Sequence, residues 1–267
     1  MLSDADIDKA ANDLHQAEID RRQIDPITLT HPNMTMDEAY AIQKQWVDRK
    51  VSDGRRVIGY KIGLTSRAMQ NTMKIDQPDY GVLLDDMVLE DGADIETAHF
   101  SDPRIEVELA FVLKDRLEGE HVTMFDVLNA TDYVVPALEL ISARSHRVHP
   151  ETGYTRKIFD TIADNAANAG IVMGGRPIRP QEMDLRWCGA LCYVNGVLEE
   201  TGLAAGVLNH PANGICWVAK RFAPHGIALE PGQVILSGSF IRPIIVKAGD
   251  TVHADYGPLG GISCHFV

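Results

Sequence analysis

The chain has 267 residues, 45% hydrophobic and 24% charged, a balance that supports a buried core in one large domain or a domain with a small appendage. Thirty-eight acidic against 25 basic residues leave a formal charge of -13, which argues against nucleic acid and anionic membrane as partners. An anionic substrate would need a local positive element, such as a metal or a few placed Lys and Arg side chains.

The first 25 residues are studded with charge (Asp4, Asp6, Asp8, Lys9, Asp13, Glu18, Asp20, Arg21, Arg22) and contain no apolar h-region. No secretory leader is expected. No window approaches a membrane span, and the cytoplasm is the expected location. Ile7, Ala10, Ala11, Leu14 and Ala17 repeat at helical spacing. Pro26 and Pro32 mark a connection. Thr35 and Glu38 form a capping box that opens a second helix, with Ala39, Ile42, Trp46 and Val47 as its apolar face and Gly54 as its stop.

From Val57 the pattern changes to short β-branched runs broken by Gly, Pro and Asp: VIGYKIGL, RIEVELAFVL, YVVPALELI, AGIVMGG, LRWCGALCYVNG, GQVILSGSF, PIIVKAGDTVHADY and GGISCHFV. Closely spaced strands with turn signals predict a sheet-rich domain, not repeating βαβ units. One helix is expected near Pro211–Phe222, resting on Trp217, Val218 and Phe222. The fold class is therefore α+β, with a helical cap subdomain over residues 1–75 on a β-rich body over 76–267. Cys188, Cys192, Cys216 and Cys264 match no zinc-binding spacing. Cys188 and Cys192, four apart on a strand, stand about 13 Å apart, too far for a direct disulfide. They read as reduced core thiols.

No P-loop, nucleophile elbow or H-E-x-x-H motif occurs, and neither GVLNHPANG nor GPLGG fits a dinucleotide fingerprint. The informative run is Arg104–Leu113. Ile105, Val107, Leu109, Phe111 and Leu113 form one face of a strand, and Glu106 and Glu108 project together from the other, about 7 Å apart at the backbone. Glu139 lies in YVVPALELI, a run apolar on both faces. Buried ionised carboxylates need protonation, a basic partner or a cation. Three of them from two strands suit a hard, oxygen-binding cation such as Mg²⁺, with Mn²⁺ as the alternative. An E-x-E on a strand is equally the ordinary pattern of a wet sheet face, and Arg104 or Arg144 could pair with the buried Glu.

Taken in order, RIEVELAFVL, ATDYVVPALELI, DTIADNAANAG, LSGSFIRP and GDTVHADYGPLGGIS resemble the fumarylacetoacetate hydrolase superfamily, in its hydratase and decarboxylase branch. DEAYAIQKQWV, YKIGLTS and PDYGVLLDDM extend the resemblance nearly end to end. It implies a mixed β-sandwich or roll of that family's C-terminal-domain type. It also implies Glu106, Glu108 and Glu139 as metal ligands, Lys61 and Asp79 as acid–base residues, Ser239 beside the substrate carboxylate, and Asp164 and Asn165 as orienting groups. Each has an ordinary reading too: a surface lysine, a turn aspartate, a turn hydroxyl.

The chemistry so implied is metal-dependent hydration of a seven-carbon 2-hydroxydienoic diacid in aromatic catabolism of the homoprotocatechuate type. Homo-oligomeric rings of five or ten subunits come with it by analogy. Alternatives are a five-carbon monoacid hydratase, a 4-oxalocrotonate-type decarboxylase, a C–C bond hydrolase and a non-catalytic keto-acid-binding protein. The segment after Glu139, SARSHRVHPETGYTRKIF, gathers Arg144, His146, Arg147, His149, Arg156 and Lys157. Either it is a solvated loop or part of it, with Arg156 and Lys157 foremost, holds the distal carboxylate of a diacid.

Overall fold

The computed structural model describes residues 1–73 and 75–267. Helices come first: α1 (Asp4–Ile19), the single turn α2 (Ile27–Thr30) and α3 (Met36–Ser52). Both long helices open on reciprocal capping boxes, Ser3 with Asp6 and the expected Thr35 with Glu38. Short elements follow: β1 (Val57–Gly63), α4 (Arg67–Met73), β2 (Asp79–Leu84), β3 (Val88–Leu89) and β4 (Asp94–Ile95). Then come β5 (Arg104–Leu113), α5 (Met124–Ala130), β6 (Thr131–Ile141), α6 (Ile158–Ala163) and β7 (Asn168–Met173). The last part holds β8 (Gly189–Val194), β9 (Val197–Leu203), α7 (Ala212–Phe222), β10 (Val234–Leu236), β11 (Ile244–Ile245), β12 (Thr251–Asp255) and β13 (Gly261–Phe266). The helix expected at Pro211–Phe222 is α7, with Pro211 as its cap and Val218 and Phe222 buried.

The strands make two sheets. The larger runs β2-β1-β10-β5-β6-β7-β3, with β11 also paired to β5. It is mixed: β1 with β10 and β3 with β7 are parallel, the rest antiparallel. The smaller runs β4-β13-β12-β8-β9. The two face each other across one core, in which Val107, Leu109 and Phe111 of β5 join Cys192, Val252, Ala254, Ile262 and Cys264. This is the α+β architecture of a helical N-terminal part on a curled, mixed-sheet body. All four cysteines are buried and free.

A second core joins Leu14, Ile42 and Trp46 of α1 and α3 to Val82 and Leu84 of β2 and to Ile158 and Ile162 of α6. The helical part thus covers the β2 end of the large sheet. β1, although it precedes residue 76, is hydrogen-bonded within that sheet between β2 and β10.

One irregularity positions the site. β10 pairs with β5 as far as Leu236↔Ala110, and β11 resumes at Ile244↔Ile105. Between them residues 237–243 leave the ladder beside Glu106 and Glu108. The loop stays pinned by Ser237 N–H donating to the Leu109 carbonyl at 3.0 Å and Phe240 N–H to the Val107 carbonyl at 3.2 Å.

Candidate metal centre

Pairing of β5 with β6 sets Glu106 directly across from Glu139 and Glu108 across from Ala137. Alternation puts Glu106 and Glu108 on one face, and directly opposed residues share a face. The three carboxylates therefore converge, with one oxygen of each within 4.8 Å of the others. Glu139 and Glu108 are 0% and 1% exposed, and Glu106 is half-buried. Burial, then the charge of Glu139, pushes the Glu106 carboxyl up to about 7 and the Glu108 carboxyl well above its ordinary value.

Neither Arg104 nor Arg144 is the partner of Glu139. Arg104 donates to Asp102, and Arg144 is held by Asp164 at 2.5 Å. The buried cation is Lys61, whose Nζ stands 3.2 Å from Glu139 Oε1. Burial works against the Lys61 ammonium. The charges of Glu139, Glu106, Asp79 and Glu108 outweigh it and hold the pKa above the ordinary lysine value.

Asp79 reaches the same place because β2 pairs Asp79 with Gly63. Burial raises its carboxyl to about 6, with Lys61 pulling the other way. Two glycines make the room. A Cβ at Gly63 would overlap Asp79 Oδ1, and one at Gly81 would come 2.6 Å from the Asn165 carbonyl and 3.2 Å from Lys61 Cγ. The YKIG and PDYG segments thus hold a lysine and an aspartate close together only because each has glycine where any side chain would collide.

Neighbouring groups fix the carboxylates. Asn168 Nδ2 donates to Glu139 Oε1 at 2.7 Å, and Gly238 N–H donates to Glu108 Oε2 at 2.8 Å. The buried Tyr256 hydroxyl faces the carbonyls of Glu108 at 3.0 Å and Ala137 at 2.7 Å, where β5 meets β6. Sequence reasoning missed Asn168, Gly238 and Tyr256. Asn168 ends the polar run Asp164, Asn165, Asn168, which in an otherwise apolar stretch was the available signal.

The other candidate residues are placed as follows. Asp164 pairs with Arg144 and lies 3.7 Å from Arg156 Nη1. Asn165 Oδ1 accepts from Val82 N–H and its Nδ2 donates to the Val82 carbonyl, at 2.7 and 2.9 Å, tying the chain before β7 to β2. Asn165, Ala166 and Ala167 are all left-handed (φ 49°, 50° and 59°), and this turn carries the Asn165 carbonyl over Gly81. Ser239 Oγ donates to the Ile241 carbonyl at 3.0 Å and accepts from Ile241 N–H at 3.3 Å, closing the pinned loop beside Glu108. Arg156 is buried against Ser145 and Asp164, whereas the exposed Lys157 ammonium donates to the Pro32 carbonyl at 2.7 Å.

The donor set is all oxygen and anionic. Glu139 Oε2 and Asp79 Oδ1 are buried with no hydrogen-bond partner among the described residues, a costly state for a carboxylate oxygen. Three convergent carboxylates with one orphaned oxygen fit a hard divalent cation.

Residues 59–267 match the family model described as fumarylacetoacetate (FAA) hydrolase C-terminal. The chain belongs to the fumarylacetoacetate hydrolase family. The matched region contains Lys61, Asp79 and all three glutamates. Within the family the chain is 60% identical to an Escherichia coli 2-oxo-hept-4-ene-1,7-dioate hydratase, over 96% of both chains. It is 38% identical to a 2-keto-4-pentenoate hydratase of Paraburkholderia xenovorans, over 97% of this chain and 94% of that one. Among solved structures, the 4-oxalocrotonate decarboxylase of Pseudomonas putida G7, complexed with magnesium and adipate, superposes with a TM-score of 0.94 at 31% identity, covering 100% of this chain and 99% of that one.

Proposed function

We propose that this enzyme adds water to 2-oxohept-4-ene-1,7-dioate, the keto form of 2-hydroxyhepta-2,4-dienedioate, to give 4-hydroxy-2-oxoheptane-1,7-dioate in aromatic catabolism. The observation that carries this reading is the 60% identity, over 96% of both chains, to a hydratase of that substrate. The site supports it. A divalent cation, Mg²⁺ or Mn²⁺, held by Glu106, Glu108 and Glu139 would act as a Lewis acid on the 2-oxo acid end of the substrate.

The remaining work falls to the chain's own residues. From the 2-hydroxy-2,4-diene form, protons must leave the C2 hydroxyl and the water that attacks C4, and reach C5 and C3. Lys61 and Asp79 are the titratable pair beside the glutamates, and a carboxyl raised to about 6 both takes and returns a proton near neutrality. Asn168 and Gly238 hold the glutamates in place, while Asp164 and Asn165 fix the turn behind Lys61. Ser239 and Arg156 act on the substrate side by shaping the loops that flank the glutamates. A homo-oligomer in fives or tens and a cytoplasmic location belong to the same reading.

Anaerobic turnover of 2-hydroxyhepta-2,4-dienedioate, with and without EDTA and with products identified by NMR, tests the proposal. The hydrated keto diacid should form, and only with metal present. Full activity after complete metal removal would sink it. A second reading, favoured by the close superposition on a decarboxylase, is loss of CO₂ from a related keto diacid. Bicarbonate release without a hydrated product would establish that instead.

A further inference from the structure

The basic segment between β6 and α6 carries more positive charge than the chemistry above uses. Most of it is already engaged. Arg144 is bound to Asp164 and stacks 4.9 Å from the Trp46 ring, and His149 Nε2 lies 3.1 Å from Asp25. Lys157 is engaged by the Pro32 carbonyl. Arg147 differs. Its Nε donates to Asp102 Oδ2 at 2.5 Å, and Arg104 Nη2 donates to the same oxygen at 3.2 Å. One carboxylate thus serves two guanidiniums, leaving an excess of positive charge on a chain of net charge -13.

Both arginines keep a buried nitrogen with no hydrogen-bond partner among the described residues, Nη2 of Arg147 and Nε of Arg104. A buried guanidinium N–H left unpaired is costly, and an anion is the partner it fits. The place is also right. Arg104 precedes Glu106 by two residues on β5 and so belongs to the face that carries Glu106 and Glu108, about 7 Å along the strand. That distance is on the scale of an extended seven-carbon chain. Arg147 acts electrostatically on Glu106, where its charge opposes the effect of burial. Arg156 packs behind, its backbone N–H donating to the Arg147 carbonyl at 3.0 Å.

We propose that Arg147, held by Asp102 and flanked by Arg104, anchors the distal carboxylate of the substrate and so selects dicarboxylic over monocarboxylic 2-oxo acids. This inference rests on the reading that the 2-oxo acid end binds at the three glutamates. Anchor and glutamates then grip opposite ends of one extended molecule. A monoacid leaves the Arg147 donor unpaired, which is the stronger form of discrimination.

The test is calorimetric titration of the Mg²⁺-loaded protein with 2-oxoheptanedioate and with 2-oxopentanoate, neither of which has a double bond to hydrate. Wild type should prefer the diacid. Arg147→Gln should weaken the diacid about 10- to 100-fold and leave the monoacid unchanged. An equal loss on both ligands, or no loss on the diacid, overturns the proposal. If Arg147→Gln does not fold, Arg147→Lys decides: a loss confined to the diacid supports the anchor, and wild-type affinity for the diacid refutes it. The two readings fail separately. Diacid binding that depends on Arg147, without hydration of the unsaturated diacid, would leave the anchor standing and remove the hydratase. Wild type that does not prefer the diacid would remove the anchor whatever the enzyme catalyses.

Discussion

Glu139→Gln separates the two things Glu139 does. Without metal, Glu139 balances Lys61 at 3.2 Å but also crowds two other carboxylates within 4.8 Å. Breaking a lone buried pair costs about 3–5 kcal/mol. Here the relief of repulsion and the charges remaining on Glu106, Glu108 and Asp79 offset part of that, so the metal-free variant should be only moderately less stable. The decisive quantity is the stabilisation added by metal. At a cation concentration about a hundred times Kd, wild type gains about 2.7 kcal/mol. For a chain of this size that is a Tm rise of roughly 5–10 °C. If the amide weakens binding about a hundredfold, the same concentration sits near the variant's Kd and adds only about 0.4 kcal/mol, a rise of roughly 1–2 °C. Thermal melts of both proteins with EDTA and with Mg²⁺ give this double difference, in which the cost of folding the variant cancels. An undiminished Mg²⁺-dependent rise in Glu139→Gln would refute the assignment of Glu139 as a ligand.

Lys61→Met should lower kcat/KM about 10²- to 10⁴-fold while cation affinity is kept or increased, because a positive charge beside Glu139 is gone; loss of cation binding together with activity would point to a structural role instead. Gly63→Ala should displace the Asp79 carboxylate and lower kcat/KM about a hundredfold with an unchanged circular dichroism spectrum; wild-type activity would show that Asp79 has no part in the reaction. The Glu106 carboxyl, raised from its ordinary 4.5 to about 7, stabilises the metal-free fold below its unfolded value, and that contribution is lost as pH rises through 7. Cation binding needs Glu106 and the likewise raised Glu108 deprotonated, so affinity should climb with pH through about 7; calorimetry between pH 5.5 and 8.5 measures the slope, and a flat profile contradicts the raised carboxyls.

Local pattern carried much of the architecture. Helical spacing of Ala10, Ala11, Leu14 and Ala17 and the box at Thr35 gave α1 and α3 because those signals lie within a few residues of each other. Alternation in RIEVELAFVL gave the face shared by Glu106 and Glu108 for the same reason. Their meeting with Glu139 depends on the β5–β6 register, and the approach of Lys61 depends on β1 lying beside a strand from the far end of the chain, neither of which is written locally. A division near residue 75 would group β1 with the helices, although its hydrogen bonds belong to the sheet. The basic segment illustrates the same limit. Its composition points to an anion, but only the contacts separate Arg147, with a donor to spare, from Lys157, which is engaged by a carbonyl.

The pairing of Gly59 with Val234 and of Glu106 with Glu139 also bears on how the protein comes into being. Lys61, Asp79, the three glutamates, Asn168 and Gly238 come from six separate stretches, although the glutamates themselves share the adjacent β5 and β6. Loop-closure entropy makes such distant pairings slow to form. The complete centre is therefore a late product of folding: the three glutamates can meet as soon as β5 pairs with β6, but Lys61 and Asp79 are brought to them only when Val234 to Leu236 have docked between β1 and β5.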